Sequence, residues 1–568
     1  MSNFTPEEQQ QLSQYVTDPV GNVFCVKNLP GMTGAIYARY SRAKGGFREV
    51  LLKEFIKEGV IDPAHAATLI ERILVAYGDD SVGELEGAHV SFEEISMIAT
   101  KEIEERRIGG SPIEQSTRYV LYDQKVDDHY RYYRPANIMA SKHATEYVAT
   151  MDFVFDTYCS LIDSMKTYYE GLKNINDAEY DINGDGVKEK YVDLNDEADQ
   201  KAFRITYNAD LRTKACDTLR ALLPLATRTN VGIFGNGRFF QNVLVGLYSS
   251  PYLEAQQLGA ATHAELNKII PVYVKRAKKN DYLVANHERM RLLAVKLFKD
   301  VPVQQVDDEV DLLDYGDDAI AERLAQEKSF NASTIKHYRQ EEFDIFTIAC
   351  MLYPYVEYPF RQIRSFVRKL SDNERAEITV AYIGKRETRR DRPYRALEAG
   401  YNYTFDLVTD FGTYKDLMRH RMNTQLRQLF SPRLGLIIPE DLTKAGFADR
   451  AKECHAMVSA LYEKLVKEFP YEASYVTLHG HRVRWMLGMN DREAFHLLEL
   501  RSTPQGHPQY RKIAQRMHNA IRKQSAWRAD AMQFVDHNDY FWTRGDAEAK
   551  QRVKEKQLEE QLKNKNKL

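Results

Sequence analysis

A strand of alternating apolar residues that runs into an amphipathic helix ending on arginine occurs twice in this chain. Ala88-His-Val-Ser-Phe92 leads into residues 95–106, and Tyr401-Asn-Tyr-Thr-Phe405 leads into residues 411–419. Phe92 and Phe405 are 313 positions apart, and so are Arg106 and Arg419. Alternation over five residues reads as a half-buried strand, and the 3.6-residue period after it reads as a helix. Ile36-Tyr37-Ala38 and Ile348-Ala349-Cys350 keep nearly the same offset, whereas Asn236-Gly237-Arg238 and Asn490-Asp491-Arg492 are 254 apart. A repeat at this period fixes the architecture before anything else does. The chain is two diverged copies of one α+β unit, and the first copy carries roughly sixty extra residues, the difference of those offsets. The expected division is a first copy over 1–325 with an insertion at about 170–205, a second copy over 326–543, and a charged tail over 544–568. The acidic stretch 307–328 is read as a loop or exposed helix near the boundary, and the tail as solvated or disordered.

Composition narrows the class. A formal net charge of -3 supplies no global field for nucleic acid or an anionic membrane, so a bound anion needs a local arginine cluster. No stretch approaches the roughly 18 apolar residues of a membrane span, and the first residues lack an apolar signal region. The five cysteines are scattered, without CxxC or zinc-ligand spacing, which fits buried thiols in a reducing cytoplasm and no metal site.

Two strings carry chemistry. Arg419-His420-Arg421 brackets a histidine with two guanidinium groups at a helix end, a donor fan suited to a diphosphate or a phosphate. Glu114-Gln115-Ser116-Thr117-Arg118-Tyr119 places a carboxylate, hydroxyls and a guanidinium within a few residues, which suits a nucleotide. Taken singly, each is more economically a surface ion pair or a loop entering a strand.

Taken together they resemble the flavin-dependent thymidylate synthases. That family joins an Arg-His-Arg triplet to a downstream Glu-x-Ser-x-Arg-Tyr by a short fixed spacer, with a glutamate about one strand ahead. In the first copy the preceding glutamate is Glu86, ending the string that begins at Asp79; in the second it is Glu398, displaced by one residue. The resemblance implies a fold of two tandem thymidylate-synthase-complementing-protein-like domains, each a mainly antiparallel sheet packed with helices, forming a pseudo-dimer.

The two copies have lost complementary parts of the pattern. The first has Glu114, Ser116, Arg118 and Tyr119, but its triplet reads Arg106-Arg107-Ile108. The second has the intact triplet but Arg427, Leu429 and Ser431 downstream. Of the later elements, the first copy keeps Arg220, Pro224, Asn236, Arg238 and Asn242, and has Leu247 where the family places an arginine. The second keeps that arginine as Arg501, with Asn490 and Arg492, but has Ser474, Leu478 and His496 at the other positions. Family active sites lie between subunits of a homotetramer. The resemblance therefore implies one composite site between the halves, and a mirror site holding only the remainder.

The implied reaction is reductive methylation of dUMP to dTMP with FAD, methylenetetrahydrofolate and NAD(P)H. Glu114, Ser116, Thr117, Arg118 and Arg220 would bind dUMP, with Arg118 and Arg220 on its phosphate. Arg501, the catalytic residue, would stabilise negative charge on the pyrimidine. Arg419, His420 and Arg421 would hold FAD, with Glu86, Asn236, Arg238, Asn242 and Asn490 in support. Three residues before the triplet, Asp416 stands where the family usually has a base-contacting glutamine. A homodimer forming a pseudo-tetramer is the expected assembly. The alternative is a paralogue that binds flavin or nucleotide without turnover. Within the insertion, Asp181-Ile-Asn183-Gly-Asp185-Gly186 begins like a calcium loop, but Val192 stands at the twelfth position. Asn-Gly and Asp-Gly equally make a hairpin turn between Tyr180 and Tyr191, the favoured reading.

Overall fold

A computed structural model describes residues 4–29, 32–41, 43–57, 60–61, 80–303, 308–313, 332–385, 395–398, 403–524 and 526–540, with Ala549 and Val553. They fall into two compact units. The first comprises Met1–Gln115 and Thr229–Val284, the second Ser116–Arg228 and Ala285–Leu568. The tail from 554 onward and most of 541–552 lie outside the described residues.

In the first unit, strands β1 (Gly87–Ser96), β2 (Gly110–Glu114) and β3 (Arg228–Asn236) form a sheet in the order β1-β3-β2. Strand β2 runs antiparallel to β3, with Glu114 opposite Val231. Both β1 and β3 run directly into helices, because each ends on a residue that caps the helix that follows. Ser96 accepts from the Ala99 amide at 3.0 Å and opens Met97–Glu104; Asn236 accepts from the Phe239 amide at 2.8 Å and opens Gly237–Tyr248.

The second unit repeats this plan. Its strands β4 (Val310–Leu313), β5 (Tyr403–Asp410), β6 (Thr424–Arg427) and β7 (Arg482–Met489) are ordered β4-β5-β7-β6. Asp410 caps Phe411–Leu417, and Asn490 caps Asp491–Arg501. Strands β5, β7 and β6 thus correspond to β1, β3 and β2, and a 3-10 turn precedes the first strand of each set, at Asp80–Leu85 and Arg395–Glu398. The architecture is α+β in two related sheets.

Three expectations need correction. Of the acidic stretch near 307–328, only 308–313 lies within the described residues, and there it is not loop or helix alone: Val310–Leu313 pairs antiparallel with β5, Val310 opposite Leu407. Its apolar Val310 and Leu313 are buried, which holds an otherwise acidic segment on the sheet edge. Strand β5 is not half-buried but buried along its whole length, both faces being covered. Its polar residues are accommodated by internal bonds, except the Thr404 hydroxyl, which has no partner among the described residues. Asp406 accepts from the Phe360 amide at 2.8 Å, from Arg484 Nη1 at 2.9 Å, and from the Tyr353 hydroxyl at 2.5 Å. Cys25 is likewise exposed rather than buried, whereas Cys216, Cys350 and Cys454 are buried. No helix among the described residues is long and apolar enough to cross a membrane.

The added residues of the first copy take the form of a hairpin and a long helix. Between β6 and β7 the second copy has one long helix, Ala448–Leu465; between β2 and β3 the first has two, Ala144–Leu172 and Glu197–Leu219. The hairpin joins these two, with Glu179 opposite Lys190. Asp181 serves its turn by accepting from the amides of Gly184 at 2.6 Å and Gly186 at 3.1 Å.

Within the second unit the two copies meet through equivalent residues. The Leu225 amide donates to Thr477 O and the His479 amide to Leu223 O, each at 2.7 Å. Outside them, the Ala226 amide donates to Tyr475 O and the Gly480 amide to Ala221 O. At the 254 offset, residue 225 corresponds to 479 and 223 to 477, so each bond maps onto its counterpart. The bridge at the centre pairs Pro224 with Leu478, themselves equivalent. This is the bonding pattern of an isologous contact about a local two-fold axis, made here within one chain. The helices Ala144–Leu172 and Ala448–Leu465 flank it, with Lys464 paired to Glu146 at 2.5 Å.

Candidate active site

The helix Glu197–Leu219 carries Asp217 near its end, and Arg220 follows in a 3-10 turn. Arg118 is held against Asp217 by two parallel bonds, Nε to Oδ1 at 2.6 Å and Nη2 to Oδ2 at 2.8 Å. Burial opposes ionisation of Asp217, but Arg118 and, less strongly, His507 and Arg220 hold its carboxyl below the ordinary range. The backbone before Arg118 is fixed by Ser116, whose Oγ accepts from the Arg118 amide at 3.2 Å. Thr117 is buried beside it.

Arg220 is almost fully buried, with Nη1 3.8 Å from Asp416 Oδ2. Its Nη2 and Asp416 Oδ2 are buried and make no hydrogen bond among the described residues. The guanidinium can lie here because residue 412 is glycine: a Cβ would stand 2.9 Å from Arg220 Nη2 and 2.6 Å from His479 Cε1. A cavity of about 420 Å³ opens beside Arg220, bordered by Asp217, Asp410, His479, His507 and Arg511.

Arg501 ends the helix Asp491–Arg501 and donates from Nε to His420 Nε2 at 2.9 Å. Its guanidinium carbon lies 5.7 Å from the centre of the Tyr510 ring. Tyr510 and Asp416 are in turn close enough to Arg118 to act on its charge. Arg118, Arg220 and Arg501 are thus linked through Tyr510 and Asp416 in one unit. Arg118 and Arg220 come from the first copy, and Arg501, His420 and Asp416 from the second.

The remaining predicted residues are placed differently. Glu114 belongs to the first unit, where its buried carboxylate lies 3.0 Å from the ammonium of Lys101, which also pairs with Glu104. Asn236 and Asn490 are helix caps, and exposed Arg238 pairs with Glu84. Glu86 accepts from the Gly237 amide through its backbone carbonyl at 2.8 Å, and Asn242 is exposed. Arg419 and Arg421 are exposed on either side of buried His420. Asp217, His507 and Tyr510 were missed in the sequence. Asp217 had one signal, an acid three residues before Arg220 on a helix; His507 and Tyr510 lie beyond every family motif.

A family model described as thymidylate synthase complementing protein matches residues 33–272 and 354–525, both copies. The chain belongs to that family. Similar over nearly the full length is a UPF0159 protein of Chlamydia muridarum, 34% identical over 94% of this chain and 96% of its own. A UPF0159 protein of Chlamydia pneumoniae is also 34% identical, and one of Thermoplasma acidophilum, UPF0159 protein Ta1429, 30% identical over 92% of this chain and 98% of its own. The linked arginines therefore stand on that family's scaffold.

The same region sets a pH dependence. Burial pushes His507 well below the usual imidazole value, reinforced by Arg220 and Arg118; burial, then His455, does the same for His481. Below about pH 6.5 the unfolded chain protonates both, while the folded chain keeps them neutral. Stability therefore falls as pH drops from about 6.5 towards their folded values. The urea midpoint should be lower at about pH 5.5 than at about pH 7.5, and His507→Asn should shrink that difference. An unchanged difference in the variant would remove His507 from the account.

Proposed function

We propose that the protein is an FAD-dependent thymidylate synthase that converts dUMP to dTMP at one composite site in the second unit. The observation that carries this reading is the linkage of Arg118 and Arg220 with Arg501 through shared neighbours, although the repeat encodes them in different copies. In this reading the dUMP phosphate meets Arg118 and Arg220, the first held by Asp217, the second with Nη2 open to a ligand. Charge-assisted bonds from two guanidinium groups are strong enough to seat a phosphate in a partly buried cleft. Arg501 lies at the pyrimidine edge and stabilises the negative charge that develops on the ring. Asp416 gives this site its particular character. A carboxylate repels an ionised pyrimidine but accepts from the N3–H of a neutral one, and its Oδ2 has that acceptor open.

The exposed guanidinium groups of Arg419 and Arg421 fit the diphosphate of FAD, which when bound supplies the hydride and the relay for one carbon from methylenetetrahydrofolate, with NAD(P)H as reductant. Asn236 and Asn490 serve this only indirectly, by fixing helix starts. Two chains associating as a homodimer would provide the equivalent of four family subunits.

A second reading, a nucleotide-binding paralogue without turnover, is favoured by one observation: Asp217 already occupies two donors of Arg118. Growth of a thymidine auxotroph and tritium release from labelled dUMP decide between them. We expect a yellow protein that restores growth and releases tritium. Flavin colour and dUMP binding without tritium release would leave the binding protein; neither colour nor dUMP affinity would overturn both.

A further inference from the structure

His420 has two ring nitrogens, and both are engaged. A guanidinium has no acceptor, so in the bond between Arg501 Nε and His420 Nε2, 2.9 Å long, Arg501 is the donor and Nε2 carries the lone pair. The neutral ring must then carry its proton on Nδ1, which lies 2.9 Å from Glu493 Oε1 and donates to it. The tautomer is fixed by geometry. Glu493 sits in the first turn of the helix that Arg501 ends, its amide bonded to the Asn490 cap, so one rigid element carries both ends of the chain of bonds. His420 is buried three residues past the end of the helix Phe411–Leu417, and Arg501 is half-buried. Arg501 makes no other hydrogen bond among the described residues, so this bond is what orients its guanidinium plane. His496 completes a trio with His420 and Glu493 whose ligand atoms lie within 4.8 Å of one another. While Arg501 donates to it, His420 has no lone pair to give a cation.

We propose that Glu493 and His420 are positioning residues for Arg501: Glu493 selects the tautomer of His420, and His420 holds Arg501 by Nε so that its two terminal amino groups face a bound pyrimidine. The assignment of those amino groups to a pyrimidine rests on the thymidylate synthase reading; the bond order from Glu493 to Arg501 does not. A proton added at Nε2 would meet the Arg501 Nε–H and break the link. The charged groups facing His420 are Glu493, His496 and Arg501. Burial holds the imidazole below its usual value against the pull of Glu493, and Arg501 adds to the lowering, so the link survives to mildly acid pH.

The test uses nitrogen-15-labelled full-length protein without added ligand, alongside kinetics. His420 should show the Nδ1–H tautomer, Arg501 Nε–H should exchange slowly, and Glu493→Gln should weaken both signatures. His420→Ala should lower kcat by about 10²-fold, the cost of a misplaced catalytic group, beyond any loss of bound flavin measured by absorbance. His420→Gln, which keeps an acceptor for Arg501, should recover to within about tenfold of the parent. An Nε2–H tautomer in the parent protein overturns the proposal whatever the turnover. So does an activity loss in His420→Ala that tracks flavin loss alone while the Arg501 Nε–H signal is unchanged. A parent protein with the expected tautomer but no dUMP turnover would sink the thymidylate synthase reading and leave the positioning chain standing.

Discussion

Arg501→Ala should abolish growth of a thymidine auxotroph and lower tritium release from dUMP by about 10²–10³-fold, the usual loss when one donor aimed at developing charge is removed. Arg501 comes from the second copy, and no residue of the first can replace it, because its counterpart is Leu247. Arg118→Ala should cost as much in kcat/KM but act mainly through dUMP affinity, since a phosphate contact is made in ground state and transition state alike. It also takes the bidentate partner from Asp217, leaving a less compensated carboxylate where the phosphate must approach, so the loss exceeds that of one hydrogen bond. The control is Ile108, which stands where the second copy has Arg421 and is 79% exposed. Ile108→Ala should leave both measurements unchanged. Equal losses for Ile108→Ala and Arg501→Ala would mean that neither reports on a site.

Lys101→Met should unfold the first unit more readily, by about 3–5 kcal/mol, the usual cost of breaking a buried ion pair by removing one partner. The Lys101 side chain has no exposed surface, and the two carboxylates it meets, Glu104 and Glu114, are 2% and 0% exposed. Without the ammonium both buried carboxylates lose their counter-charge, and a buried charge without one is costly. Adding Glu114→Gln should return part of the loss, because one of the two stranded charges is gone. Chemical unfolding monitored by circular dichroism measures it. A single variant as stable as the parent would show that the three groups are solvated in solution.

Much of the scaffold was legible because its signals are local. The alternating strands and the helices after them are read directly from period, and the spaced arginines pointed to the family. Asn490-x-x-Glu493 carried a capping pattern that could have been read as such, and the structure uses Asn490 that way. Strand β4 was not legible, because only Val310 and Leu313 in an acidic stretch face the core. Full burial of β5 was hidden for the opposite reason: Asp406 looks like a solvent-facing position until Tyr353, Phe360 and Arg484 supply its donors. Tyr510 and His507 entered the site from a helix and loop beyond the motifs, through tertiary packing that no spacing encodes. The same holds for the Arg118–Asp217 pair, 99 residues apart.

The mirrored ladder between residues 221–226 and 475–480 bears on how such a protein can change. In an assembly of identical subunits every substitution appears at each symmetry-related place, so a harmful side chain at one pocket is harmful at all of them. Here a codon altered on one side of the axis leaves the other side untouched. A carboxylate such as Asp416 can then be tested in a single pocket while its twin position, Ile103, drifts to serve packing alone. Fusion turns a constraint on pairs into two independent freedoms, and the single composite site proposed above would be one use of them.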